Sequence, residues 1–191
     1  MKTTNVMIVG VGGQGSLLAS KLLGRLLLDE GYDVKVSEVH GMSQRGGSVV
    51  TYVRFGEKVY SPVITEGEAD FILSFEKLEA ARWASCLKKG GKIIVNTQEI
   101  DPMPVIIGNA VYPSDILSEL TGKGVSVDAV DALKVALEAG SAKAVNIVLL
   151  ARLAKYFDIP YEKWIDAIEK TVAPKFKEMN QKAFSLSYNL K

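Results

Sequence analysis

The sequence predicts an α/β fold: a mostly parallel sheet, a β-hairpin insertion after the second strand, and a helical extension at the C-terminal end. Three observations predict it. Asn5 to Val9 is a short apolar run, followed at once by Gly10-Val11-Gly12-Gly13-Gln14-Gly15 and then by a helical pattern from Ser16 to Leu28. That order is strand, glycine turn, helix, with G-x-G-x-x-G spacing. Strand-like and helix-like segments then alternate to about residue 125, and the remainder reads as helical. The arrangement is Rossmann-like, in one domain over 1–191, with an α/β core over 1–125 and a helical extension over 126–191.

Each element has its own signal. The first helix runs from about Gly13 to Glu30, with Leu17, Leu18, Leu22, Leu23, Leu26 and Leu27 on one broad face, and Gly31 stops it. Asp33 to Val39 alternates as a strand, expected parallel to the first strand and beside it. The stretch Glu38 to Ser48 has no period and reads as a functional loop. Val49–Phe55 and Lys58–Ile64, joined at Gly56-Glu57, read as a hairpin, with Pro62 marking an edge strand. Asp70–Phe75 and Lys92–Val95 read as buried strands around a helix over Glu76–Leu87. Lys88-Lys89-Gly90-Gly91 is that helix's stop. Val105–Ile107 and Ala110–Tyr112 are short strand candidates, and Ser114–Thr121 a short helix. Val127–Gly140, Ala144–Phe157, Tyr161–Val172 and Pro174–Asn189 read as helices.

Bulk properties narrow the function classes. Lysine and arginine number 23 against 22 acidic residues. That balance supplies no electrostatic case for nucleic acid or an anionic membrane. No apolar stretch reaches the roughly 18–20 residues needed to cross a bilayer, so the chain is expected to be cytoplasmic. The one cysteine, Cys86, rules out a disulfide within the chain and a four-cysteine iron–sulfur or zinc site made by this chain alone. In its helical setting Cys86 reads as a small apolar side chain rather than a reactive thiol.

Candidate chemistry lies in two places. In the glycine turn, Gly10 permits a tight turn, Gly12 admits a ligand to the backbone, and Gly15 lets the helix pack close. The helix N-terminus offers free N–H groups and a positive dipole end to an anion. Gly10, Gly12, Gly13, Gln14 and Gly15 are therefore candidate cofactor contacts. A turn without a ligand is the alternative.

The second place is the loop. Glu38 stands where a dinucleotide-binding strand would present an acid to ribose, and His40 is the only histidine. Arg45, between Ser43-Gln44 and Gly46-Gly47, would either clamp a phosphate or carboxylate or pair with Glu38 or Glu66. One histidine cannot complete a Ser/His/Asp set, Gln14-Gly15-Ser16 replaces a P-loop Gly-Lys-Ser, and no His/Cys cluster suits a metal. No catalytic residue is assigned.

Taken together, Gly10-Val11-Gly12-Gly13-Gln14-Gly15 and Ser37-Glu38-Val39-His40-Gly41-Met42-Ser43-Gln44-Arg45-Gly46-Gly47-Ser48-Val49 resemble the gamma-type subunit family of 2-oxoacid:ferredoxin oxidoreductases. The loop is most similar to the beta subunit of its indolepyruvate branch. The resemblance covers essentially the whole chain. It implies a part in CoA-dependent oxidative decarboxylation of a 2-oxoacid, an aryl pyruvate in this branch, to an acyl-CoA, CO2 and reduced ferredoxin. It places thiamine diphosphate and the iron–sulfur clusters on a large alpha subunit, with ferredoxin reached through the complex and no cofactor held by this chain alone. Coenzyme A is then a candidate shared ligand, and the glycine turn is left with a CoA phosphate contact or a structural role. The loop Glu38, His40, Ser43, Gln44, Arg45, Gly46 and Gly47 becomes the candidate contact with the partner or a ligand. The isolated chain is expected to be inactive, and its hairpin edge and helical tail are surfaces that would allow a homodimer. The competing expectation is a free-standing NAD(P)-binding reductase.

Overall fold

The computed structural model describes residues 3–39 and 46–190. A six-stranded sheet runs through its centre in the order β2-β3-β1-β4-β5-β6. The strands are β1 (Thr4–Val11), β2 (Asp33–Val39), β3 (Ser48–Gly56), β4 (Ala69–Ser74), β5 (Leu87–Asn96) and β6 (Ser126–Val130). β1, β4, β5 and β6 pair in parallel, whereas β3 runs antiparallel to both of its neighbours, β1 and β2. The sheet is thus mixed and mostly parallel, as expected for this α/β class.

Helices cover both faces. On one side lie α1 (Ser16–Asp29), α5 (Ala132–Ala139), α6 (Val145–Ala154), α7 (Tyr161–Thr171) and α8 (Lys177–Asn189). Their core includes Val6, Ile8, Leu22, Leu23, Leu26, Leu27, Leu73, Ile94, Trp164 and Phe184. On the other lie α2 (Lys77–Trp83) and α4 (Ile116–Gly122), over Met7, Val9, Ile72, Ile93 and Val95. The division follows from the pleat: alternate residues of β1 point to opposite faces, and both are covered, so the strand is apolar throughout. Leu22, Leu23, Leu26 and Leu27 recur at helical spacing and are almost completely buried, at about 1.5–3 kcal/mol each. α6 is the innermost helix, with all ten of its residues buried.

Five expectations change. β2 is not beside β1, because β3 returns antiparallel between them. Residues 58–64 form no second hairpin strand. Pro62 has no N–H, and side chains serve that stretch instead: Val59 N–H donates to Asp33 Oδ2 (2.9 Å), and Arg54 Nη1 donates to the Val63 carbonyl (2.6 Å). The edge strands are β2 and β6. Val127–Gly140 is not one helix: β6 occupies 126–130, and Asp131 caps α5 by accepting from Lys134 N–H (3.0 Å). Lys88–Gly91 continues β5, and 105–107 falls around the short helix α3 (Met103–Ile106) rather than in a strand.

The end of the sheet where β1 and β4 begin is closed. Phe55, Phe71 and Trp164 pack tilted or edge-on around Phe157 there, with centroids 5.5–5.9 Å apart, and Phe55, Phe71 and Phe157 border a hollow of about 200 Å³ with Tyr32 and Tyr156. Nearby, buried Asp128 accepts a fork of bonds from Arg152 (Nε 3.0 Å, Nη2 2.6 Å) and one from the Tyr156 hydroxyl (2.8 Å). Arg152 Nη1 and Lys155 Nζ both donate to the Leu190 carbonyl, fastening α8 to the sheet.

Candidate functional site

The opposite end is where β1, β4, β5 and β6 finish and β3 begins, the usual place for a ligand in an open α/β sheet. The glycine turn lies here and is tightly built. A Cβ on Gly10 would stand 2.9 Å from both Phe75 Cβ and Gln14 Oε1. Gly15 has φ +92° and is the N-cap of α1, and a Cβ there would meet Asn146 Nδ2 of α6 at 3.2 Å.

Gln14 is spent inside the fold. Its Oε1 accepts from Val11 N–H (2.8 Å), and its Nε2 donates to the Phe75 carbonyl (3.0 Å). Asn96 Nδ2 donates to the same carbonyl (3.1 Å), while Asn96 Oδ1 accepts from Ala132 N–H (3.1 Å). One carbonyl thus ties together the ends of β1, β4 and β5 and the start of α5. Gln98 Oε1 accepts from both amides at 3.3 Å.

The two sequence motifs meet through backbone. Gly12 N–H donates to the Gly47 carbonyl (2.8 Å), and Gly46 N–H donates to the Gly12 carbonyl (3.3 Å). They extend the β1–β3 ladder past Val11–Ser48. The N–H of Gly12 is therefore directed at the second motif and not at a ligand.

Clefts open on both sides of this junction. On the α1 side, about 320 Å³ is bounded by Gly12, Gly13, Gly15, Ser16, Leu17 and Glu38 over Val49 and Thr51. It offers an anion the leading N–H groups of α1 and the Ser16 hydroxyl. Glu38 faces the same space, its Oε1 accepting from Ser20 Oγ at 3.1 Å. With β3 intervening, Glu38 lies two strand spacings from β1, roughly 10 Å, where a dinucleotide-binding sheet would place its acid one spacing away.

On the α2 side, about 220 Å³ lies between Gly46–Ser48, Glu76, Glu79, Arg82 and residues 100–104. Glu76 is 1% exposed and caps α2 by accepting from Glu79 N–H at 2.9 Å. Its other oxygen accepts from the Tyr112 hydroxyl and from Ile100 N–H (3.3 Å). Glu79 is also buried. Desolvation pushes its carboxyl above the usual range, opposed by Ser48 Oγ, which donates to it at 2.5 Å, and by Arg82 at 3.2 Å. Burial raises the Tyr112 phenol, and Glu76 adds to the rise by accepting its proton in the hydrogen bond.

Of the predicted site residues, the structure brings together Gly10, Gly12, Gly13, Gln14, Gly15, Glu38, Gly46 and Gly47. His40, Ser43, Gln44 and Arg45 lie outside the described residues. Sequence reasoning missed Glu76, Glu79, Asn96, Gln98 and Asn146. The available signal was a polar residue ending an apolar strand (Asn96) or interrupting an apolar helix (Asn146).

One cysteine cannot supply the four thiolates of an iron–sulfur cluster. Cys86 is a single thiol, half-buried and raised by desolvation. Among the described residues no three His, Cys, Asp or Glu side chains converge as metal ligands. Nor is any helix among them long and apolar enough to cross a membrane.

These features define an α/β domain that presents a glycine turn on one rim, beside Glu38 and Gly46-Gly47 of the second motif. Residues 5–190 match the family model described as pyruvate ferredoxin/flavodoxin oxidoreductase, and the chain belongs to that family. It is 46% identical over 194 residues to the indolepyruvate oxidoreductase subunit IorB of Pyrococcus horikoshii, covering 97% of this chain and 95% of the relative. To the subunit of that name from Archaeoglobus fulgidus it is 40% identical, over 97% and 94%. Among solved structures it resembles the pyruvate oxidoreductase subunit PORC of Thermotoga maritima, with TM-score 0.76, 22% identity and coverage of 98% and 96%. It also resembles the 2-oxoglutarate:ferredoxin oxidoreductase of Magnetococcus marinus, with TM-score 0.76 and 18% identity. There all of this chain matches 32% of a longer one.

Proposed function

We propose that this chain is the smaller, cluster-free subunit of an indolepyruvate-type 2-oxoacid:ferredoxin oxidoreductase. It packs on a large subunit that carries thiamine diphosphate and iron–sulfur clusters. The complex works in the cytoplasm, oxidatively decarboxylating an aryl pyruvate with coenzyme A to give an acyl-CoA, CO2 and reduced ferredoxin. The observation that carries this reading is 46% identity sustained over 97% of the chain with a subunit of that name. The rim is consistent with a supporting role. Its amides Gln14 and Asn96 are spent on main-chain groups, and the Ser48 hydroxyl in the α2-side cleft is tied to the buried Glu79 carboxylate. The chain's own contribution to coenzyme A is a phosphate contact at the N-terminus of α1, beside Ser16, with the loop ending at Gly46-Gly47 facing the partner.

The free-standing NAD(P) reductase loses ground on geometry, since β3 sets Glu38 two strand spacings from β1 where a dinucleotide site would have one. Co-expression with the large subunit, followed by indolepyruvate- and CoA-dependent ferredoxin reduction, tests the reading. The expected result is activity in the complex and none in either chain alone. Micromolar NAD(H) or NADP(H) binding with turnover by the isolated chain would overturn it.

A further inference from the structure

Residues 101–111 leave the sheet between β5 and α4 as a loop pinched at its base. Glu76 closes the neck. One of its oxygens accepts from Ile100 N–H on the outgoing side and from the Tyr112 hydroxyl on the returning side. Tyr112 is held in turn by Leu78 N–H, which donates to its oxygen at 3.2 Å. Within the loop the backbone is satisfied internally. Ile107 N–H donates to the Met103 carbonyl (3.0 Å), and Asn109 and Ala110 both donate to the Pro104 carbonyl (2.8 and 3.0 Å). Pro102 and Pro104 restrict the chain further. A compact loop with its ends together and its own hydrogen bonds is an ordered surface element.

What the element displays is apolar. Met103, Ile106 and Ile107 are 60–65% exposed and Val111 is 89% exposed, and α3 buries none of its residues. Nothing in this chain repays the hydration of those side chains. From residue 101 to 113 the only charged side chain is Asp101, in a protein whose charged content is 24%.

We propose that residues 101–111 are a preorganised apolar knob that inserts into an uncharged apolar groove on the large subunit. The inference rests on the function proposed above and adds the surface through which the subunits join. Two facts select this occupant. The fold recurs as about a third of a longer chain in the Magnetococcus protein, so a much larger body is joined to it there. The knob also borders the motif loop, because Pro102, Met103 and Pro104 share a cleft wall with Gly46, Gly47 and Ser48. The knob and the Gly46–Ser48 end of that motif thus share one surface. The clamped neck lowers the ordering cost of docking.

The test uses the full chain and the co-expressed large subunit. Ile106→Asp with Val111→Asp is expected to raise the dissociation constant at least about 30-fold, as loss of a buried anchor does. The melting temperature of the isolated chain should stay unchanged, because both side chains are exposed. Leu137→Asp, at an α5 side chain 58% exposed, is the control and should stay within about twofold. Val111→Ser repeats the test with a substitution too mild to threaten folding, and a weakening of several-fold is expected. Wild-type affinity in the knob variants overturns the proposal. So does an unchanged complex accompanied by loss of self-association, which would make a second copy of this chain the occupant. If the wild-type chain forms no complex at all, the proposed function falls and takes this inference with it. The two failures appear in different samples.

Discussion

The two ends of the sheet are built on opposite principles. At the closed end, polar groups pair inward and aromatic rings pack on one another around a small hollow. Asp128, Arg152 and Tyr156 satisfy one another, and Phe55, Phe71, Phe157 and Trp164 pack edge to face or tilted. At the open rim, buried carboxylates and amides hold backbone in place instead: Gln14, Asn96 and Glu76 each serve main-chain groups of other segments. The apolar side chains there, Met103 through Val111, face outward. The closed end supplies stability to this chain. The rim shapes a surface whose free energy is realised only when something covers it. A single domain can therefore carry a robust core and an unfinished face without conflict.

Substitutions can break or sharpen that contrast. The largest effect is expected at the closed end. Arg152→Met leaves Asp128 buried without its cation and the Leu190 carbonyl with one donor fewer. Urea denaturation should show a loss of about 3–5 kcal/mol, while affinity for the large subunit is unchanged in the folded fraction. A loss under about 1 kcal/mol would mean that the pair behaves as a surface ion pair.

Next comes Gly10→Ala at the rim. The added methyl meets Phe75 Cβ, which moves only with the backbone of β4. A cost of about 1–3 kcal/mol is expected, together with weaker assembly, because Gln14 must also move. Destabilisation without any effect on assembly would uncouple the turn from the partner surface.

Tyr156→Phe returns to the closed end with a smaller effect, about 1 kcal/mol at neutral pH, since Arg152 still satisfies Asp128. Burial, aided by Asp128, pushes the Tyr156 phenol from 10.0 up to about 12. The unfolded chain therefore ionises first, and the wild type should lose stability relative to the variant as pH rises from 10 towards 12. Parallel pH profiles for the two proteins would refute this.

The smallest effect belongs to Glu79. Its folded carboxyl titrates above the ordinary 4.5, so the unfolded state gives up its proton first. Wild-type stability therefore falls, relative to Glu79→Gln, as pH rises from 4.5 through the raised value. Chemical denaturation midpoints across that window check the sign, and a wild-type advantage that grows with pH would reverse it.

Much of this architecture was legible in the residues. The first strand, glycine turn and helix were plain because the apolar run, the glycines and the helical spacing agree. The helices from Tyr161 onward were plain for the same reason of periodicity. Strand neighbours were not, because no local pattern says that β3 will return between β1 and β2. β6 was hidden because Val127 to Val130, joined to the alanine-rich Ala132–Ala139, mimics one helix, although Asp131 marks the break by capping. Glu76 illustrates the limit at the site. Its role depends on Ile100 and Tyr112, residues 24 and 36 positions away, which only the fold brings to it.

The paired glycines have a consequence for observation. Gly12 and Gly46 exchange their amide protons with solvent only when the end of the β1–β3 ladder opens, because each N–H is held by the other motif. Their deuterium uptake is thus a built-in gauge of this corner. A ligand in the α1-side cleft, or a subunit seated on the loop, would slow both amides together, and a change confined to one would place the event elsewhere.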